Sequence, residues 1–178
     1  MSLYFDGLRQ ASERYALFSY RIMTDYVIHT ETGHVYITPT GFFVYAEDFY
    51  SAGINWKSSQ RYSPVPYFLF CRSIELGLKS FALTKGEKIE HLRSKKIGHD
   101  LIALLNIAKK HSLSDFLETT SIEDTEIAKA NQYYNDKGFE YFKLKNLLNK
   151  TNLPDLEVLK KYAEKLVTNI KQYTLSSA

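Results

Sequence analysis

The chemistry-bearing residues of this chain are concentrated between Ser63 and Leu105. Arg72, Glu75 and Lys79 recur at intervals of three and four, so on a helix they form one charged stripe, with Glu75 and Lys79 in the favourable acid-before-amine order. Further along come His99 and Asp100, and a short polar connection folds them back toward the end of the same bundle. Arg72, Glu75, Lys79, His99 and Asp100 therefore form a candidate cluster of titratable groups held by packed helices, as a binding or active site requires. The competing reading is structural: Glu75 pairs with Lys79, His99 hydrogen-bonds a helix end, and Asp100 complements the helix dipole. Between the two groups, Lys85 to Lys96 holds five Lys/Arg against two Glu, a local excess of +3 that equals the net charge of the chain. Lys88, Arg93, Lys95 and Lys96 suit a phosphate backbone, with Tyr133, Tyr134 or Phe139 as stacking platforms; a solvated basic loop is the alternative.

Positioning these groups requires helices. Ser63 followed by Pro64 and Pro66 predicts a helix start, and Gly86 supplies the stop, which gives a helix of about twenty residues. On it Tyr67, Phe70, Ile74, Leu78 and Phe81 share one face and Leu69, Leu76 and Leu83 another, so the helix is packed from both sides. Ser73, Gly77 and Ser80 make a small-residue stripe that admits a neighbouring backbone. A second amphipathic helix begins near His99, with Asp100 in its first turn and Leu101, Leu104, Leu105 and Ala108 at helical spacing.

The run S-I-E-L-G-L-K-S-F-A-L, a polar loop, and then G-H-D-L-x-x-L-L resembles the HEPN superfamily (higher eukaryotes and prokaryotes nucleotide-binding), in the group with E-L-x-L-K and G-H-D-L motifs. The resemblance spans roughly Phe42 to Tyr141 in outline and Ile74 to Leu105 in quotable residues. It implies a mainly α fold, an antiparallel helical bundle that is often dimeric. It also implies an association with RNA cleavage, toxin–antitoxin pairs, phage defence or nucleotidyltransferase partners. Nucleases of the superfamily carry an arginine, four to six residues, then a histidine near the last core helix. Here Arg93 and His99 have that spacing but lie before the His-Asp helix, whereas Tyr133 to Tyr141 holds neither residue type. As a metal-independent pair, His99 would move the proton of a 2′-hydroxyl or of the leaving oxygen, and Arg93 would stabilise the phosphorane charge.

Length and composition bound the rest. A chain of 178 residues that is 44% hydrophobic favours a single domain over 1–178, with 1–40 as an N-terminal helix-plus-hairpin extension. No apolar run is long enough for a membrane span, and the polar start is unlike a signal peptide. The lone Cys71 reads as a buried hydrophobe from a reducing compartment, so the expected location is cytoplasmic. A mild basicity, pI about 8.8 from 17 Lys and 6 Arg, permits a nucleic-acid partner without demanding one. Aromatic content of 15% suits grooves and subunit contacts. His29 with His34, and His91 with His99, lack zinc spacing and companions, so neither a metal nor another cofactor is expected.

In chain order, Leu3 to Tyr26 has helical spacing. Tyr26 to Thr30 and His34 to Thr38 read as strands around a three-residue loop, Glu31-Thr32-Gly33, and Thr38 to Gly41 closes the hairpin. Phe42 to Ser58 predicts a helix antiparallel to the central one. Ser121 opens another that runs to about Tyr134, with Ser121 as N-cap and an acid at the third position. From Asn152 onward Leu156, Leu159, Ala163, Leu166, Ile170 and Tyr173 form a stripe that caps the bundle or makes a dimer seam. The reading is an RNA- or nucleotide-associated module without standard ribonuclease chemistry, its expected partners being RNA or a nucleotide, a second copy in a homodimer, an antitoxin or a nucleotidyltransferase. Two rivals stand beside it: a non-catalytic protein-interaction module, and an active ribonuclease using Arg93 and His99.

Overall fold

The computed structural model describes residues 26–30, 33–58, 62–141 and 153–176, and the fold over them is mainly helical. Strands β1 (Tyr26–Thr30) and β2 (Gly33–Ile37) pair antiparallel, Tyr26 opposite Ile37 and Thr30 opposite Gly33. Gly33 thus belongs to the ladder, not to a three-residue loop. The helix expected over Leu3–Tyr26 lies outside the described residues, apart from Tyr26, which opens β1.

Six α-helices follow among the described residues: α1 (Pro39–Asn55), α2 (Val65–Thr84), α3 (Ile89–Leu92), α4 (Leu101–Lys110), α5 (Ser121–Tyr134) and α6 (Leu156–Ser176). The expected hairpin closure, Thr38 to Gly41, opens α1 instead: the Thr38 hydroxyl accepts from Gly41 N–H at 3.0 Å, and Pro39 fills the first position, where no amide is needed. Helix α2 begins after Ser63, whose Oγ accepts from Val65 N–H at 3.3 Å, and ends before Gly86 at φ +89°, where a side chain would be strained. One turn, α3, interrupts the basic elbow that the sequence presents as a loop. Asp100 is the N-cap of α4, one position outside the helix, with Oδ1 accepting from Ala103 N–H at 2.9 Å. The capping box of α5 sits one residue earlier than Ser121 suggests, on Thr120 and Glu123, because the Thr120 hydroxyl and the Glu123 carboxylate satisfy each other's backbone amides.

Helix α2 is the axis of the bundle. From Phe70 to Leu83 every residue except Arg72 is buried, and α1, α4, α5 and α6 all pack on it. The small-residue stripe divides its work between two neighbours. Ser73 Oγ donates to Ala46 O and Ser80 Oγ to Pro39 O, each at 2.8 Å, so α1 runs antiparallel to α2. Gly77 faces α6, where a Cβ would stand 2.9 Å from Leu166 Cδ2. Because Gly77 meets Leu166 and Phe81 meets Tyr173, α6 runs parallel to α2, a departure from a wholly antiparallel bundle. Helices α4 and α5 are antiparallel, tied by Asp100 to Asn131 and Lys109 to Asp124.

The stripe on α6 lies inside the protomer. Leu159, Ala163, Leu166 and Ile170 are each 0% exposed, so these four form core and not a dimer seam. Tyr133 and Phe139 are likewise buried: Phe139 is stacked between Tyr67 and Tyr133, with ring centroids 5.3 and 5.4 Å away, which removes both from service as exposed stacking platforms. Among the described residues no helix is long and apolar enough to cross a membrane.

The α1–α2 contact is close at Gly53, where a Cβ would lie 2.6 Å from the Phe70 ring. Gly53→Ala is expected to lower stability by about 1–3 kcal/mol through overpacking, read as a reduced urea midpoint with unchanged slope. A midpoint equal to or above that of the parent chain refutes this account of the helix pair.

Candidate functional site

Burial of α2 puts Glu75 in an unusual position for a carboxylate. Its side chain is 0% exposed, and four donors from three parts of the chain converge on it. Arg72 Nη1 donates to Oε1 and Oε2 at 3.1 and 3.0 Å, and Lys79 Nζ donates to Oε1 at 2.6 Å. The elbow then brings His99 Nδ1 to 3.0 Å from Oε2, and α5 brings the Tyr134 hydroxyl, which donates to the same oxygen. Lys79 is itself 6% exposed, so the pair expected between Glu75 and Lys79 is a buried ion pair, for which hydrogen-bond saturation decides whether the charges can stay.

The electrostatics follow from that saturation. Burial by itself raises the Glu75 carboxyl, but the His99 hydrogen bond and the charges of Lys79 and Arg72 outweigh it and hold it at about 2. Burial, then the Glu75 charge and hydrogen bond, push Tyr134 above the ordinary tyrosine range, so its hydroxyl remains a donor. Burial also pushes the Cys71 thiol up, with Glu75 adding to the effect, which leaves it a packed apolar group. Two groups approach His99 Nδ1: the ionised Glu75 carboxylate at 3.0 Å, which can only accept, and Arg72 Nη1 at 3.4 Å, which can only donate. The shorter contact to the buried charge favours a proton on Nδ1, and in that neutral ring Nε2 keeps the lone pair. Nε2 has no hydrogen-bond partner among the described residues, and the His99 side chain is 49% exposed.

Above this hub lies an open cleft of about 340 Å³. Arg72, Glu75, Lys79, Arg93 and His99 line it, together with Phe42, Leu76 and Gly98. Five of the sequence-selected residues are therefore gathered in one place, including Arg93 with His99. Asp100 is not among them: its carboxylate caps α4 and takes a 3.1 Å bond from Asn131 Nδ2, because the turn after His99 directs it to α5. Lys88, Lys95 and Lys96 are exposed on the elbow and do not line the cleft.

Sequence reasoning missed the Tyr134 contact to Glu75, placing the ring as a stacking platform. The two residues are 59 positions apart, and no periodicity links them. Phe42 was legible only as an apolar position, and Gly98 only as part of a motif. No family model, curated protein or solved structure matches this chain.

Because Glu75 is held at about 2 in the folded protein against an ordinary 4.5, the unfolded chain binds the proton more readily. Its stabilisation is complete above about pH 4.5 and is lost as the pH falls toward 2, a contribution of about 3 kcal/mol. Acid titrations of unfolding free energy are expected to show a shallower fall across that window in Glu75→Gln than in the parent. The same substitution leaves Lys79 without its counter-charge, at an expected cost of about 3–5 kcal/mol at neutral pH. Parallel acid limbs for the two chains contradict the assigned protonation state.

Proposed function

We propose that the protein is a HEPN-like, RNA- or nucleotide-associated helical module, acting in a stress, toxin–antitoxin or phage-defence setting, whose cleft receives a phosphate group. The observation that carries this reading is the make-up of the cleft lining: three cationic side chains, Arg72, Lys79 and Arg93, and one carboxylate, Glu75. A surplus of cation in a concave, partly desolvated site favours an anion, and the planar forks of Arg72 and Arg93 suit phosphate oxygens. Lys88, Lys95 and Lys96, exposed beside the cleft on the same elbow, extend the favourable potential along a strand.

A second reading is favoured by one specific observation. With Nδ1 held by Glu75, His99 lines the same cleft as Arg93, the pair of residue types that metal-independent phosphodiester cleavage uses. Histidine would take or return a proton at Nε2 while the guanidinium meets the charge that develops on phosphorus-bound oxygen.

Titration of a labelled single-stranded RNA and of a mononucleotide against the protein at several salt concentrations separates these readings. Salt-dependent binding is expected, and Arg93→Ala is expected to reduce the slope of log affinity against log salt by about one. Loss of RNA on incubation in EDTA, abolished in both His99→Ala and Arg93→Ala, establishes the cleavage reading. No binding at low salt, or binding indifferent to salt, leaves the hub as a purely structural ion network and makes protein-partner binding the better account.

A further inference from the structure

The histidine at the mouth of the cleft has a property that phosphate binding does not use. A neutral imidazole whose Nδ1–H is held by a buried carboxylate has its nucleophilic lone pair on one defined atom, Nε2, and gains a counter-charge as the ring becomes cationic. In His99 that atom has no partner among the described residues, half of the side chain is exposed, and three fixed cations line the same cleft. We propose that His99 is a phosphoryl acceptor, forming a phosphohistidine at Nε2 from a small phosphorylated donor such as a phosphoramidate or an acyl phosphate. The inference rests on the cleft taking phosphate.

The step balances without a metal. The Nε2 lone pair attacks phosphorus and forms the N–P bond. The bond from phosphorus to the donor's leaving atom breaks, and its electron pair departs with the leaving group, either an amine that takes up a proton from water or a carboxylate that stays ionised. The ring keeps its Nδ1 proton and becomes a cation, facing the Glu75 carboxylate at 3.0 Å. Arg72 and Arg93 line the same cleft, where a guanidinium can meet phosphoryl oxygens. Glu75 and Tyr134 are positioning residues: the carboxylate fixes the tautomer, and the tyrosine hydroxyl holds the same oxygen.

The chain contains its own control. His91 is 51% exposed, and its Nδ1 also lies 3.0 Å from a carboxylate, Glu87 Oε1, but it stands outside the cationic cleft. The Glu87 carboxyl is lowered too: burial raises it, and the His91 and His111 hydrogen bonds prevail. Comparing the two histidines therefore isolates the contribution of the cleft cations from those of tautomer and exposure.

The test treats the intact protein with phosphoramidate, quenches in base, and assigns the label by peptide mass and by phosphorus NMR. His99 is expected to be phosphorylated at Nε2 about tenfold or more faster than His91, the scale on which a charged cleft concentrates an anion. Arg93→Ala is expected to bring the two rates together while leaving the His91 rate unchanged. Labelling of His99 at Nδ1, or no faster than His91, overturns the proposal. If RNA or nucleotide still binds with its salt dependence in that case, the phosphate-binding reading survives and only the acceptor role falls; if binding is also absent, both fall.

Discussion

A carboxylate with no contact to water must be neutralised or saturated, and Glu75 is saturated. The arrangement around it explains why several elements stand where they do. Arg72 and Lys79 are one helical turn to either side on α2, so the helix itself supplies half of the solution. The other half comes from elements with no local reason to be there: the elbow that delivers His99 and the end of α5 that delivers Tyr134. A carboxylate with about four lone-pair sites thus specifies the mutual placement of three chain segments, with geometry that apolar packing alone would leave looser.

The rest of the bundle gives this hub a rigid frame. Ser73 and Ser80 bind α1 through its backbone carbonyls, and Gly77 admits the Leu166 side chain of α6. At the other end of α2, the Lys85 ammonium lies 4.6–5.5 Å from the ring centres of Tyr173, Phe116 and Phe81, a cation held by aromatic faces. Charge on this helix is therefore paired with carboxylate in its middle and with aromatic surface at its C-terminus.

How much of this was legible in the sequence divides along a physical line. Periodicity found α2, its two apolar faces and its charged stripe, because each follows from the helical repeat of about 3.6 residues per turn. The small-residue stripe was readable for the same reason, although only the structure divides it between α1 and α6. Cap positions slipped by a residue at Asp100 and at Thr120, since several oxygens in a row can accept from a first turn and tertiary contacts choose among them. The α6 stripe reads equally as a bundle cap or a dimer seam in the sequence, because a 3-4 spacing describes an apolar face without saying what covers it. Tyr134 was invisible as a partner of Glu75 because its contribution depends on the path of α4 and α5.

The contact between Tyr134 and Glu75 has a bearing on the order in which the molecule takes shape. Helices α1 and α2 are neighbours in the chain and close with little loss of chain entropy, whereas the tyrosine arrives from 59 residues away. Until α5 docks, the carboxylate of a newly formed helical hairpin keeps access to water. Completion of the tertiary fold is therefore also the point at which the buried carboxylate acquires its full set of donors and the imidazole its contact to Glu75.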